Sequence, residues 1–169
     1  MSADDELAIQ RLVAIYSDAI TCRDPDAAAA VFAEDGVLHA FHGVEVVGRH
    51  AIRDALGVRG RSLADEASID GAASEPGFSM QLTRFVAADI NGGDATGRSY
   101  YIEFSRGPDR TDVGRFSTGV NEDRYVRTPE GWRIAYRRLA RTYVGDASFP
   151  GKTTPLEISA WPTGPNPSC

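Results

Sequence analysis

The sequence predicts an α+β domain, with helices in the first third of the chain and a sheet of about six mostly antiparallel strands in the remainder. Apolar residues recur at helical spacing near the N-terminus, whereas residue types alternate with a period of two further along the chain. The clearest alternation flanks a Pro/Gly turn in GVNEDRYVRTPEGWRIAYRR, residues 119–138, which predicts an antiparallel hairpin. With 169 residues, of which 42% are hydrophobic, the chain suits one domain with a sizeable core.

Three helices are predicted before the sheet. The first follows from apolar residues at helical spacing and is expected to end near Cys22. Asp24 followed by Pro25 is typical of an N-cap with proline at the first helical position, which predicts a second helix through the AAAAVF run. A third helix of about two turns, HAIRDAL, is expected after Gly48.

Strands and connections account for the rest of the predicted order. The strands are predicted at residues 37–41, 44–47, 80–90, 96–105, 113–127 and 132–144. Residues 57–77 are rich in Gly, Ser, Ala, Asp and Glu, which predicts a lid, a binding loop or a disordered connection. Repeated prolines beyond residue 145 exclude a regular element there, so residues 146–169 are expected to form a C-terminal tail.

Composition and charge exclude several classes of function. A formal net charge of -6 gives no basic footprint for nucleic acid or an anionic membrane, and a small neutral or cationic ligand is easier to accommodate. The N-terminus lacks a secretion signal, and no run of about 18 apolar residues is present, so a cytoplasmic location is expected. The two cysteines, Cys22 and Cys169, are expected to be free thiols rather than a disulfide framework.

No motif for a metal, a cofactor or a nucleophile is found. His39 and His42 are three residues apart in or beside a strand, so their side chains are expected to face opposite ways, unlike a metal-binding pair. The chain lacks a Gly-x-Ser-x-Gly motif and a Walker motif. The sequence therefore predicts no cofactor and no metal.

The hairpin at residues 119–138 resembles the C-terminal hairpin of SnoaL-like proteins, which belong to the nuclear transport factor 2-like superfamily. The N-terminal AIQRLVAIYSDAITCRDPDAAAAVFAEDGVLHAF, followed by GRHAIRDAL, is similar to the opening of that fold. The resemblance implies a SnoaL-like domain at residues 1–145 and a cone-shaped architecture in which helices cover a curved, mixed sheet. It also implies a cavity for a small apolar ligand.

Within that superfamily, the dehydratase and dehydrochlorinase branch offers the nearest set of active-site positions. Its aspartate at the end of the first helix corresponds to Asp24, and its arginine on the last strand corresponds to Arg137. Its histidine position falls on Met80, or on Gln81 if the alignment slips by one, and neither side chain acts as a base near neutral pH. The Asp-His dyad of that branch is therefore absent.

The same alignment assigns further residues to the cavity. Asp24 is expected to act as the base, Glu103 as the second acid, and Arg137 with Asn121 as the group that stabilises an enolate-like oxyanion. Two carboxylates beside a guanidinium form an arrangement that can separate an acid from a base. The residues expected to line the substrate are Tyr16, Phe78, Met80, Tyr101 and Asn121.

Each of these assignments has a structural alternative. Asp24 fits an N-cap without any pocket, and Glu103 with Arg137 could form a structural cross-strand pair. The alternation in the last strand places Trp132, Ile134 and Tyr136 on the apolar face, which turns Arg137 away from the core.

Two functions from different classes remain compatible with these residues. The preferred expectation is a cofactor-independent cyclase, isomerase or dehydratase that acts on a small hydrophobic polyketide, terpenoid, steroid or aromatic compound. The alternative is a non-catalytic ligand-binding or assembly module that resembles the small subunit of ring-hydroxylating dioxygenases. In both cases a homodimer through the outer face of the sheet, or a higher homo-oligomer, is expected.

Overall fold

A computed structural model describes residues 3–40, 43–65, 78–106 and 113–148, with side chains described except at 58–65, 78 and 113. The helices are α1 (Ala3–Cys22), α2 (Pro25–Ala30) and α3 (Arg49–Asp65). The strands are β1 (Phe32–His39), β2 (Glu45–Val47), β3 (Phe78–Asn91), β4 (Asp94–Arg106), β5 (Val113–Thr128) and β6 (Gly131–Ser148). They form one sheet in the order β2-β1-β6-β5-β4-β3, in which only the β1 and β6 pair is parallel. The predicted α+β class and six-stranded mixed sheet are confirmed.

Three element boundaries differ from the prediction. The helix α3 continues to Asp65, so the predicted connection at 57–77 is wrong for residues 57–65, and residues 66–77 lie outside the described part. Each of its two glycines lowers helix stability by about 1 kcal/mol relative to alanine, and the Arg, Leu and Ala residues around them have high helix propensity. Phe32 begins β1 instead of ending α2, and β6 continues to Ser148.

The core lies between α1 and one face of the sheet, here called the inner face. The buried side of α1 includes Ile9, Leu12 and Tyr16, and these residues belong to one apolar cluster with Tyr125 and Ile134 of the hairpin. Complete burial of a large apolar side chain stabilises the fold by about 1.5 to 3 kcal/mol. The apolar stripe of α1 therefore fixes the helix over the inner face.

Hydroxyl groups of α1 also cover the free edge of the sheet at β3. Ser17 Oγ donates to the Gln81 carbonyl at 2.8 Å, and the Gln81 backbone N–H donates to Thr21 Oγ1 at 3.0 Å. Thr83 Oγ1 donates to Ser17 Oγ at 3.0 Å. Because these bonds satisfy edge groups that would otherwise face solvent, the helix both protects the edge strand and closes one side of the inner face.

The other end of α1 is tied to the hairpin through Asp5. Its carboxylate accepts a hydrogen bond from Trp132 Nε1 at 3.1 Å and another from Arg127 Nη2. The Arg127 guanidinium also lies over the Trp132 ring, 4.7 Å from its centroid. These bonds from Trp132 and Arg127 hold the pKa of Asp5 below its ordinary value.

One expectation about the cysteines is corrected by the structure. Cys22, at the end of α1, is disulfide-bonded and is not a free thiol, whereas Cys169 lies outside the described residues. Disulfides persist mainly in oxidising compartments, so this bond gives no support to the expected cytoplasmic location. Of the helices described, none is both long and apolar enough to cross a bilayer.

Candidate functional site

The polar centre of the inner face is built on β5. Alternation along this strand buries Gly119, Asn121, Asp123 and Tyr125 beneath the helices and leaves the residues between them on the outer face or partly exposed. Asn121 was predicted from the sequence, but Asp123 and Tyr125 were not. The signal was present, because residues two and four positions after an inward-facing strand residue share its face.

Arg137 reaches the same face because β6 contains a bulge. Tyr125 pairs with Ile134, whereas the preceding Arg124 pairs with Tyr136, so Ala135 is the extra residue of the bulge. A bulge reverses the alternation of the strand. Ile134 before it and Arg137 after it are therefore both completely buried, each 0% exposed. The expectation that alternation turns Arg137 away from the core is thus wrong.

Arg137 forms a two-bond ion pair with Asp123 on the adjacent strand. Its Nε donates to Asp123 Oδ1 at 2.8 Å, and its Nη2 donates to Asp123 Oδ2 at 2.7 Å. Neither side chain has any solvent exposure. The proposed structural pair of Arg137 with Glu103 is not formed, because β5 lies between the strands that carry them.

Two tyrosines complete the surroundings of this ion pair. The Tyr125 hydroxyl donates to Asp123 Oδ2 at 2.7 Å, and burial, with the nearby Asp123 carboxylate, raises the pKa of Tyr125 above its ordinary value. The Arg137 guanidinium lies 4.4 Å from the centroid of the Tyr16 ring, a cation–π contact. Burial alone would lower the pKa of Arg137, but Asp123 raises it above the ordinary value, so the guanidinium stays charged.

Two polar atoms at this centre are buried and have no hydrogen-bond partner. They are Nη1 of Arg137 and Oδ1 of Asn121. The Asn121 Nδ2 donates to Ser99 Oγ at 3.1 Å, so the amide presents its acceptor, not the donor that the expected oxyanion role requires. Buried polar atoms in native proteins are nearly always paired with protein or with water, so these two atoms are candidate contacts for a ligand or a water molecule.

Further along the inner face lie Glu103 and Tyr101, both buried as expected from the sequence. Glu103 is 7% exposed and pairs in register with Gln81 on one side and with Ser117 on the other. The Tyr101 ring lies against Gly119, where an added Cβ would come within 2.6 Å of its ring edge and hydroxyl. Gly119 therefore makes room for the Tyr101 ring on this face.

The strand β3 resolves the ambiguity between Met80 and Gln81. Met80 is 46% exposed on the outer face. The expectation that Met80 lines the substrate site is therefore wrong. Gln81 faces inward, and its Oε1 is buried without a hydrogen-bond partner. Of the two candidate positions, the one that faces inward therefore carries an amide. The Phe78 side chain lies outside the described ones.

Asp24 caps α2, as predicted by the alternative in which this residue is an N-cap. Its Oδ1 accepts a hydrogen bond from the Ala27 backbone N–H at 2.9 Å. Within the described part of the chain, no hydrogen bond or ion pair joins Asp24 to Glu103, Asn121 or Arg137. The structure thus places Arg137 against Tyr16, with Asn121 buried on the same face of the sheet, whereas Asp24 lies at the corner between α1 and α2.

No metal centre is found in the part of the chain that the structure describes. No group of three or more His, Cys, Asp or Glu side chains could hold a metal ion there. His39 Nδ1 instead lies 3.0 Å from the Tyr136 hydroxyl and 3.8 Å from Glu45.

An open cavity of about 490 Å³ lies at the turn end of the sheet, and Tyr125, whose hydroxyl donates to Asp123, is one of its lining residues. Its lining residues include Asp89, Asp94, Thr96 and Arg124, which are exposed. None of the site residues predicted from the sequence lines this cavity.

Comparison with known proteins agrees with this architecture. The model of a family described as a SnoaL-like domain matches residues 1–138. No curated protein sequence matches the chain.

Three similar solved structures share the fold. A nuclear transport factor 2-like protein with a cystatin-like fold from Novosphingobium aromaticivorans is 24% identical, with 82% of each chain covered and a TM-score of 0.65. A candidate scytalone dehydratase from the same organism is 21% identical, covering 87% of this chain and 93% of that chain with a TM-score of 0.65. A type 2 hexachlorocyclohexane dehydrochlorinase is 12% identical, covering 90% and 94% with a TM-score of 0.65. At these identities the likenesses establish the fold and no shared activity.

Proposed function

We propose that this chain, which belongs to the SnoaL-like domain family, is a cofactor-independent lyase or isomerase that acts on a small hydrophobic compound held between α1 and the inner face. Polyketides, terpenoids, steroids and aromatic ketones are the candidate substrates. The buried Arg137 guanidinium carries this proposal, because its Nη1 is an unpaired donor on a face that is otherwise shielded from water. Such a donor stabilises negative charge that develops on a substrate oxygen.

The proposed reaction begins with removal of a proton from carbon next to a substrate carbonyl. Asp24 takes this proton through Oδ2, since Oδ1 is used to cap α2. The electron pair moves onto the carbonyl oxygen, where Arg137 Nη1 donates a hydrogen bond. A proton is then returned by way of Glu103 either to carbon, which gives an isomer, or to a departing hydroxyl, which leaves as water.

Gln81 distinguishes this mechanism from that of the resembled branch. An amide cannot accept a proton from carbon near neutral pH, so proton transfer falls on the two carboxylates. The candidate scytalone dehydratase and the dehydrochlorinase among the similar structures support lyase chemistry on this fold.

Proton exchange in D₂O tests the first step without knowledge of the product. We would incubate the protein with 2-tetralone and 1-indanone and follow loss of the α-proton signals by NMR. The wild type is expected to accelerate exchange, and Asp24→Asn to reduce that acceleration by about 100-fold or more. Asn caps helices as well as Asp does, so the fold should persist. Asp26→Asn, at an exposed position in the same helix, is the matched control.

If the Asp24→Asn variant exchanges α-protons as fast as the wild type, Asp24 is not part of the mechanism. Absence of acceleration by the wild type, together with binding of the ketones, would favour a non-catalytic ligand-binding or assembly module. The presence of Gln81 at the histidine position favours that second function.

We also propose a homodimer through the outer face of the sheet. Apolar side chains of β3, β4, β5 and β6 cluster there. Met80 pairs with Phe104, Phe104 pairs with Phe116, and Leu82 pairs with Ile102. Most of the cluster is exposed, including Met80, Leu82, Ile102 and Tyr143. Contiguous apolar patches of this kind mark interaction surfaces on soluble proteins.

A further inference from the structure

We propose that Cys22 is cross-linked to Cys169, and that this disulfide ties the C-terminal residues 149–169 to the end of α1 and stabilises the fold under oxidising conditions. The chain contains two cysteines, Cys22 and Cys169. Cys22 is disulfide-bonded, and the structure holds no second chain. The number of cysteines therefore leaves Cys169 as the partner. This inference does not depend on the proposed function.

The end of α1 that carries the bond is a well-formed helix terminus. Arg23 follows Cys22 in the left-handed conformation, with φ of 56°, and its backbone N–H donates to the Ile20 carbonyl at 3.3 Å. The Asp24 backbone N–H donates to the Ala19 carbonyl at 2.8 Å, which completes a Schellman motif. Because Asp24 also caps α2, both sides of this corner are held by hydrogen bonds. The disulfide is therefore attached to a fixed point of the fold.

The chain beyond the sheet is long enough to make this cross-link. The strand β6 ends at Ser148, and Cys169 follows 21 residues later. An extended chain spans about 3.3 to 3.6 Å per residue, so this segment can reach about 70 Å. The 20 residues of α1 span about 30 Å, which is about the diameter of a small domain. The segment can therefore return from β6 to either end of α1.

The cross-link closes a loop that contains most of the described structure. Residues 22–169 include α2, α3 and the six described strands. In the chain-entropy description, a disulfide stabilises the fold by restricting the unfolded chain, and the effect increases with the length of the loop. Loss of a bond that closes a loop of about 150 residues is therefore expected to lower the melting temperature by about 5 to 15 °C.

The same bond makes the stability depend on redox conditions. A thiolate of dithiothreitol attacks one protein sulfur and forms a mixed disulfide, and the second thiol of the reagent then displaces the protein sulfur. Two electrons pass to the protein, and the products are two protein thiols and the cyclic disulfide of the reagent. Thiol systems of reducing compartments carry out the same exchange, whereas oxidising compartments preserve the bond. The C-terminal residues are therefore covalently attached to α1 in one environment and released in the other.

Peptide mapping without reduction tests the pairing. The full chain is equilibrated with a mixture of oxidised and reduced glutathione, denatured in N-ethylmaleimide to block free thiols, and digested with trypsin. Cleavage after Arg11, Arg23 and Lys152 predicts a cross-linked species in which residues 12–23 are joined to residues 153–169. Dithiothreitol should separate it into these two peptides. Two copies of peptide 12–23 joined to each other, or both peptides capped by N-ethylmaleimide or glutathione, would overturn the pairing.

Thermal unfolding tests the effect on stability. The melting temperature of the oxidised wild type should fall by about 5 to 15 °C in dithiothreitol, and Cys169→Ser should show the lower value in both conditions. This variant leaves Cys22, which is 8% exposed, unchanged. Ser168→Ala is the matched control and should retain the dependence on dithiothreitol. Equal melting temperatures before and after reduction of the mapped cross-link would overturn its stabilising role.

Discussion

Arg137 and Asp123 face each other across β5 and β6 in an ion pair of two hydrogen bonds from which solvent is completely excluded. The Tyr125 hydroxyl gives Asp123 a third hydrogen bond. Removing ions from water is costly, so a buried pair is kept only where its bonds are well made. This pair leaves one donor, Arg137 Nη1, buried and without a hydrogen-bond partner.

Asp123→Asn is expected to destabilise the protein by about 3 to 5 kcal/mol, because it leaves the Arg137 charge buried without a counter-charge. Urea unfolding monitored by circular dichroism measures this loss. Glu122→Gln is the matched control on the same strand, where the pair with Arg138 is about half exposed. This control substitution should lower the free energy of unfolding by less than about 1 kcal/mol. Equal effects of the two changes would show that the buried pair contributes no more than a surface pair.

Gly119→Ala is expected to lower the free energy of unfolding by about 1 to 3 kcal/mol. The new Cβ would lie 2.5 Å from the Ala140 carbonyl oxygen and 2.6 Å from the Tyr101 ring. A backbone carbonyl in a paired strand cannot move away freely. Gly93→Ala, where no atom lies within 4 Å of the added Cβ, should be close to neutral. The shift in melting temperature compares the two, and a neutral Gly119→Ala would disprove the close packing of Tyr101.

Asp5→Asn is expected to lower stability at neutral pH and to matter less in acid. The pKa of Asp5 is depressed in the folded state, so its contribution is present above the unfolded pKa and is lost as pH falls through the folded pKa. The difference in melting temperature between wild type and Asp5→Asn should therefore shrink below about pH 4. Glu6→Gln, one residue later in α1, controls for the loss of an acidic group in the first turn. A difference that stays constant down to pH 2 would contradict the assigned bonds to Trp132 and Arg127.

Ile102→Glu is expected to convert the proposed dimer into a monomer, because it places a charge at the centre of the exposed apolar patch on β4. Sedimentation velocity measures the change. Arg98→Glu, an exposed change on the same strand and face but outside the apolar cluster, should leave the dimer intact. A wild-type monomer at all accessible concentrations would eliminate this interface.

Alternation of residue types was sufficient to predict the hairpin, and the family resemblance assigned Asn121 to the cavity, where the structure shows it buried. Alternation failed on β6, because a bulge at Ala135 reverses the faces of a strand and leaves no clear mark in the residue types around it. Alternation along β5 places Asp123 inward, but alternation along β6 places its partner Arg137 on the opposite face, and only the family resemblance assigned Arg137 to the cavity. The disulfide at Cys22 was missed because it depends on side chains that only the folded chain brings together.

NMR of the arginine side chains tests most directly whether Arg137 is the group that meets a ligand. Arg137→Lys assigns the Arg137 guanidinium signals, and 2-tetralone is then added to the wild-type protein. We predict slowly exchanging Arg137 signals that shift on binding, while those of the exposed Arg138 stay in place. Binding of 2-tetralone that leaves the Arg137 signals unchanged would contradict the assignment of this inner-face guanidinium to the binding site.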